Sequence, residues 1–154
     1  MVKRILFVCE GNTCRSPMAE AIFRSNVESH PRLRHILVES AGTRAEDGEC
    51  ASDCAIDVMQ EIHLDICAHQ SRRLTPERVA RCDLVLTMEE RHIERVKEVV
   101  AGIDIAALGD YAGIPGDVAD PMRVGTREAY VACREQLRKL INAVVRRLDE
   151  DGRS

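Results

Sequence analysis

Aromatic residues are almost missing from this chain: no Trp, two Tyr and two Phe amount to 3% of 154 residues. A ligand pocket walled by several rings is hard to assemble from so few. Long apolar runs are also missing, and none nears the ~20 residues that span a bilayer. The opening Met1-Val-Lys-Arg and the apolar Ile5 to Val8 are too short for a secretory leader. Excess positive charge is lacking as well. The net charge is -4, which argues against a protein that coats nucleic acid. Lysine is scarce, since 19 of the 22 basic residues are Arg, the better residue for forked contacts to phosphate or carboxylate. Cysteine is not scarce. Seven are present, an odd count at irregular spacing, which predicts reduced thiols in a cytoplasmic protein instead of a disulfide framework.

With 45% hydrophobic and 31% charged residues, the chain has the composition of an ordinary globular protein. Its length suits one domain over residues 1–154, with a monomer expected. Arg4 to Cys9 reads as a strand buried on both faces. Gly11 to Ser16 is small and polar, with Ser16 expected as N-cap and Pro17 at the first position of a helix reaching Val27. Further strands are expected near Ile36–Glu39, Leu84–Met88 and Ile103–Leu108. Helices are expected at Asp53–Ile62, from a Thr75 cap to Cys82, and at Glu89–Val100. A final helix places Tyr130, Cys133, Leu137, Leu140, Ile141, Val144 and Leu148 on one face. This alternation predicts an α/β fold, a four-stranded parallel sheet with helices on both faces.

The chemistry concentrates in Cys9-Glu-Gly-Asn-Thr-Cys-Arg15-Ser16. The C-x5-R spacing carries little weight, because seven Cys and 19 Arg supply about one such pair by chance. Cys67 and Arg73 form a decoy with that spacing. Only Cys9 ends a buried strand, has a Gly in its loop and leads into a Ser-Pro helix start. A loop there, between strand and helix, makes a nest of backbone N–H groups for an anion. Glu10, Gly11, Asn12, Thr13, Cys14, Arg15 and Ser16 would form that phosphate-binding loop. Its field is expected to lower the Cys9 pKa and make the thiol a nucleophile. Arg15 would fork onto two phosphate oxygens. Ser16 would donate a hydrogen bond to the sulfur, and Asn12 tolerates left-handed backbone.

The stretch Cys9-Glu-Gly-Asn-Thr-Cys-Arg-Ser-Pro-Met-Ala-Glu20 resembles the signature of the low-molecular-weight protein tyrosine phosphatases. The likeness runs on through Glu39-Ser-Ala-Gly42, His69-Gln-Ser-Arg72, Asp83-Leu-Val-Leu86 and Asp120-Pro121, nearly the whole chain. It implies a phosphocysteine intermediate on Cys9, phosphate binding by Arg15, and bracing of the loop by Asn12, Ser40 and His69. It also implies phosphorylated protein substrates and inorganic phosphate as product; no metal or organic cofactor is implied, and the charge and the short apolar runs predict no nucleic-acid or membrane partner.

The leaving group needs a proton, and Asp120 is the first candidate, with Asp117 the second; Asp-Pro is also a common turn starter. Cys14 admits two readings: a redox partner that forms a disulfide with oxidised Cys9, as the resembling family uses it, or a small thiol packed beneath the loop. For the substrate, Thr13 resembles the protein arginine phosphatase branch, where tyrosine-directed relatives carry a bulky aliphatic residue. The stretches Thr43–Gly48 and Met122–Gly125, where aromatic walls would stand, contain no ring. Thr13 and Met122 are thus the expected specificity residues, and phosphoarginine is expected over phosphotyrosine. Glu46, Asp47 and Asp117 would attract a guanidinium if they lie at the mouth. Glu10 would oppose phosphate unless turned away. A thiol-coupled arsenate reductase is a further, weaker alternative: it would need a relay of cysteines near the site, but Cys82 precedes the strand Asp83-Leu-Val-Leu86 and no spaced pair follows Met88. A phosphoprotein-binding module would not need both Cys9 and Asp120. Cys50, Cys54, His63, Asp65 and Cys67 lack zinc spacing. His92, Arg72-Arg73 and Arg146-Arg147 read as solvated faces.

Overall fold

The computed structural model describes residues 1–153. Four parallel strands, β1 (Arg4–Cys9), β2 (Leu37–Gly42), β3 (Leu84–Thr87) and β4 (Asp104–Ala107), lie in the order β2-β1-β3-β4. β1 is central, and its side chains alternate between two cores. Ile5, Phe7 and Cys9 face the larger one, with α1 (Arg15–Val27), α2 (Asp53–Gln60) and α6 (Arg127–Asp151). Leu6 and Val8 face the smaller one, with α3 (Pro76–Ala80) and α4 (His92–Val99). Helices therefore cover both faces, as the apolar run of β1 requires. Phe7 and Phe23 meet edge to face at 5.9 Å in the larger core. All seven apolar positions expected on the inner face of α6 are buried, and Val145 joins them.

Several boundaries differ from the sequence expectation for local reasons. β2 continues to Gly42 because Phe7 pairs with Ser40 and Cys9 with Gly42. α1 starts at Arg15, and Ser16 is not its cap, because the Ser16 hydroxyl is engaged by Cys9 and Asn12 instead. α4 starts at His92, since the Glu89 carbonyl accepts from the Thr87 hydroxyl at 2.8 Å and Glu89–Arg91 form a turn. The Thr75 cap does form, accepting from Arg78 N at 3.2 Å. A short helix α5 (Leu108–Tyr111) and a 3-10 turn (Pro121–Arg123) were not expected. His92 is 1% exposed, so it is no solvated face; it is drawn in beneath the turn, with its Nε2 3.6 Å from Glu89. No helix among the described residues is long and apolar enough to cross a membrane.

The chain leaves β1 for β2 in one direction and reaches β3 in the other. A crevice opens where the order reverses, at the carboxyl ends of β1 and β3, and there open sheets bind ligands.

Candidate active site

Residues 10–14 run from the end of β1 into α1, and the carbonyls of Cys9, Glu10, Asn12 and Thr13 are drawn outward. Cys9 O accepts from Thr43 N, Glu10 O from Arg44 N and Thr13 O from Ser52 N, each at 2.9 Å. Asn12 O meets His69 Nε2 at 2.7 Å. In a trans peptide the next N–H points opposite to the carbonyl. The amides of Glu10, Gly11, Thr13 and Cys14 are therefore turned to the inside of the loop, where they form an anion nest ahead of the positive end of α1.

Asn12 is the keystone of this curve. It sits at φ 56° and is fully buried. Its Nδ2 donates to Ser16 Oγ at 2.7 Å and to Ser40 Oγ at 2.9 Å, while its Oδ1 accepts from Arg72 N at 2.9 Å. Ser40 in turn donates to Glu20 Oε1 at 2.8 Å. Gly42 lies so close beneath that a Cβ there would stand 2.5 Å from Glu10 O and 3.0 Å from Asn12 N. Glycine is required at this position for close approach and not for unusual backbone angles.

Cys9 Sγ lies 2.8 Å from Ser16 Oγ and accepts from Asn12 N at 3.2 Å. Burial pushes the Cys9 thiol up, while the Ser16 hydroxyl, the Arg15 charge and the amides of Ser16 and Asn12 pull it down. The net direction is upward, opposite to the expected lowering. The sulfur is shut away from water, and the neighbouring guanidinium is already shared with carboxylates. Arg15 Nη1 donates to Glu89 Oε2 at 2.6 Å and to Val118 O at 2.9 Å, and Nη2 stands 3.7 Å from Asp120 Oδ2. Burial would lower the Arg15 pKa, but Glu89, Cys9 and Asp120 raise it, so it stays charged. Burial would raise the Glu89 carboxyl, but hydrogen bonds from Arg91 and Arg15 hold it down at about 2.

Above the loop opens a cavity of about 490 Å³ lined by Glu10, Gly11, Thr13, Asp120 and Met122, together with the wall Arg44–Glu46, Glu49 and Arg123. No lining residue is aromatic. The two specificity candidates, Thr13 and Met122, both face it, and Met122 is 57% exposed. Asp120 caps the 3-10 turn through Met122 N at 3.0 Å and lines the cavity. Asp117 does not line it; its carboxylate accepts from Glu90 N at 2.9 Å. Of the three acidic residues expected at the mouth only Glu46 is there, because Asp47 is turned to Arg73 N at 2.7 Å. Glu10 is not turned away, and Arg91 pairs with it at 3.3 Å.

Cys14 is buried beneath the loop with Ser52 Oγ at 3.2 Å and Tyr130 OH at 3.7 Å from its sulfur. Cys67, the decoy, is exposed on a turn. Cys82 lies in the smaller core, with its thiol pushed up to about 11 by burial. A larger cavity of about 930 Å³, around Met1, Leu33, Asp83 and Leu148, lies at the amino ends of the strands, away from the thiol and the loop.

Sequence reasoning missed Glu89, the Val118 carbonyl, Arg91 and Ser71. Glu89 read as one charge in a charged helix, and no spacing rule ties it to Arg15, 74 residues away. Ser71 is buried and anchors the cavity wall by accepting from Glu49 N at 2.9 Å.

A thiol at the floor of an amide nest, closed by a buried Arg, defines an enzyme site for phosphoryl groups. Comparison with known proteins agrees. The sequence model of the low molecular weight phosphotyrosine protein phosphatases matches residues 4–154. The protein-arginine-phosphatase of Bacillus subtilis (strain 168) is 36% identical over 156 residues, covering 97% of this chain and 99% of its own. The low molecular weight protein-tyrosine-phosphatase Wzb of Escherichia coli (strain K12) is 43% identical over 134 residues, covering 86% of each. Among solved structures, a Cys-to-Ser mutant of the YwlE arginine phosphatase with a phosphorylated active-site serine superposes with a TM-score of 0.87 at 34% identity, covering 97% of this chain and 98% of its own. The chain belongs to the low-molecular-weight protein tyrosine phosphatase family and is a phosphatase.

Proposed function

We propose that this phosphatase hydrolyses phosphoarginine in proteins, with Cys9 as nucleophile, Arg15 as phosphate binder and Asp120 as acid and then base. One observation carries the substrate choice: the cavity has an anion nest at its floor and no ring in its wall, and its rim is built from charged groups, Glu46, Glu49 and Asp120 together with Arg44 and Arg123. A phosphotyrosine ring would find no stacking partner there. A phosphoguanidinium carries negative charge at one end, which the floor takes, and a polar cation beside it, which carboxylates of the lining can accept from. The match to the B. subtilis arginine phosphatase along nearly all of both chains supports the same reading.

In the free enzyme burial favours the protonated thiol. A phosphate dianion entering the nest takes that proton onto a phosphoryl oxygen, so the reacting pair is a thiolate and a monoanion. Arg15 Nη1 is held from behind by Glu89 and Val118, which leaves the Nε and Nη2 edge for two phosphoryl oxygens. The sulfur forms a bond to phosphorus as the P–N bond breaks, and protonated Asp120 gives its proton to the departing nitrogen. The Asp120 carboxylate then takes a proton from water. The water oxygen attacks phosphorus, the P–S bond breaks, and inorganic phosphate leaves. The thiolate that departs is stabilised by Ser16 Oγ at 2.8 Å and takes back from the dihydrogen phosphate the proton it gave to the substrate, which restores the free enzyme. Seven free cysteines fit a reducing, cytoplasmic setting.

A second reading, phosphotyrosine hydrolysis, is favoured by the higher identity to Wzb over a shorter span. Matched peptides that differ only in phosphoarginine or phosphotyrosine decide between them, with Cys9→Ser as blank. The proposal expects kcat/KM at least about tenfold higher for phosphoarginine, a ratio worth about 1.4 kcal/mol of transition-state binding. A preference for phosphotyrosine overturns it.

A further inference from the structure

Glu10 follows the nucleophile directly and lines the cavity, the place where a fixed negative charge most opposes an incoming phosphate. Its carboxylate is nevertheless held there. Arg91 donates from Nη1 to Glu10 Oε1 at 3.3 Å, while its Nε and Nη2 fork onto Glu89 at 3.2 and 3.1 Å. Glu89 in turn holds Arg15 at 2.6 Å. The order Arg15, Glu89, Arg91, Glu10 is a ladder of alternating charge from the floor of the cavity to its wall. It sums to zero, so Glu10 is balanced without being removed from the cavity. Arg91 takes Oε1 only, and among the described residues Oε2 has no protein hydrogen bond. A half-occupied carboxylate beside the phosphate nest has the chemistry to accept from a cationic N–H donor attached to the phosphoryl group.

We propose that Glu10 is a specificity-determining residue that reads the positive charge beside the transferred phosphoryl group, and that Arg91 is its positioning residue. This rests on the phosphoarginine reading for its substrate. Glu46 and Glu49 line the same cavity, as do Arg44 and Arg123, so the outer wall carries both signs and Glu10, adjoining Cys9 in the chain, is the carboxylate set at the phosphate nest. A neutral phenol ester gains nothing from Glu10 and pays its repulsion of the phosphate.

The test measures kcat/KM for matched phosphoarginine and phosphotyrosine peptides in wild type, Glu10→Gln, Arg91→Gln and the double variant. Glu10→Gln should lower the value for phosphoarginine and raise it for phosphotyrosine, so their ratio falls about tenfold. Arg91→Gln should lower the ratio when Glu10 is present and leave it unchanged in the Glu10→Gln background. Loosening of Glu89 would slow both substrates alike and cancels in the ratio. A Glu10→Gln ratio equal to that of wild type overturns the inference, whichever substrate wild type prefers. If wild type prefers phosphotyrosine but Glu10→Gln still shifts the ratio, the substrate reading falls and the role of Glu10 stands. If wild type prefers phosphoarginine and the ratio is fixed, the reverse holds.

Discussion

Arg15 can offer one edge to a phosphate because Glu89 and the Val118 carbonyl hold its other nitrogen from behind. A guanidinium 2% exposed needs such partners, since an unpaired buried charge is costly. Glu89→Gln keeps the shape and removes the charge, so Arg15 swings between Val118 and Asp120. We expect kcat/KM to drop on the order of a hundredfold, the scale of a misplaced positioning group. Activity within twofold of wild type would remove Glu89 from the account. The same pair sets a pH dependence. The Glu89 carboxyl is held at about 2, below its ordinary 4.5. Its contribution to stability is therefore complete above pH about 4.5 and is lost as pH falls through about 2. Acid unfolding followed by circular dichroism should show Glu89→Gln losing less stability than wild type across that window; equal losses would contradict it.

At the scale of elements, the loop is shaped by what lies under it. β2 passes beneath the nest at Gly42, and the segment after it supplies the amides that draw the carbonyls of Cys9 and Glu10 outward. Gly42→Ala would force a methyl against Glu10 O, backbone that cannot rotate aside. Overpacking of this kind costs about 1–3 kcal/mol. The expected result is a lower melting temperature together with a weakened affinity for inorganic phosphate; a variant with both unchanged would show that the loop does not depend on this contact. The sequence pattern puts the end of this strand at Glu39, just before Ser-Ala-Gly. Its continuation to Gly42 depends on pairing with β1, and local propensity does not report pairing. The Ser16 cap was misread for a related reason. Capping chemistry and sulfur bonding ask for the same small hydroxyl, and the tertiary contact to Cys9 won.

At the scale of the molecule, the sequence reported best what periodicity and short motifs encode. β1 is apolar at every step because both faces are covered, and α6 carries its inner face at three- and four-residue steps. Cys9, Asn12 and Arg15 stand within seven residues and could be read together. Glu89, Arg91 and Ser71 come to the site from elsewhere in the chain, and charge pairing at such separation leaves no local pattern. The upward direction of the Cys9 thiol was missed because loop geometry promised a positive field without revealing how fully the sulfur is enclosed, or that Glu89 already engages Arg15. His92 was read as surface because its burial follows from the turn at Glu89–Arg91 and not from the helix pattern.

In the proposed mechanism Cys9 carries the phosphoryl group between the two half-reactions. Rapid quench of the Asp120→Asn variant with p-nitrophenyl phosphate tests it most directly, because that leaving group needs no proton while the second step has lost its base. Mass spectrometry of the quenched protein should find one phosphoryl group on the peptide bearing Cys9, accumulating with the first burst of nitrophenol. Release of nitrophenol and phosphate with no phosphorylated enzyme, or a phosphoryl group on any residue other than Cys9, would rule out Cys9 as the carrier.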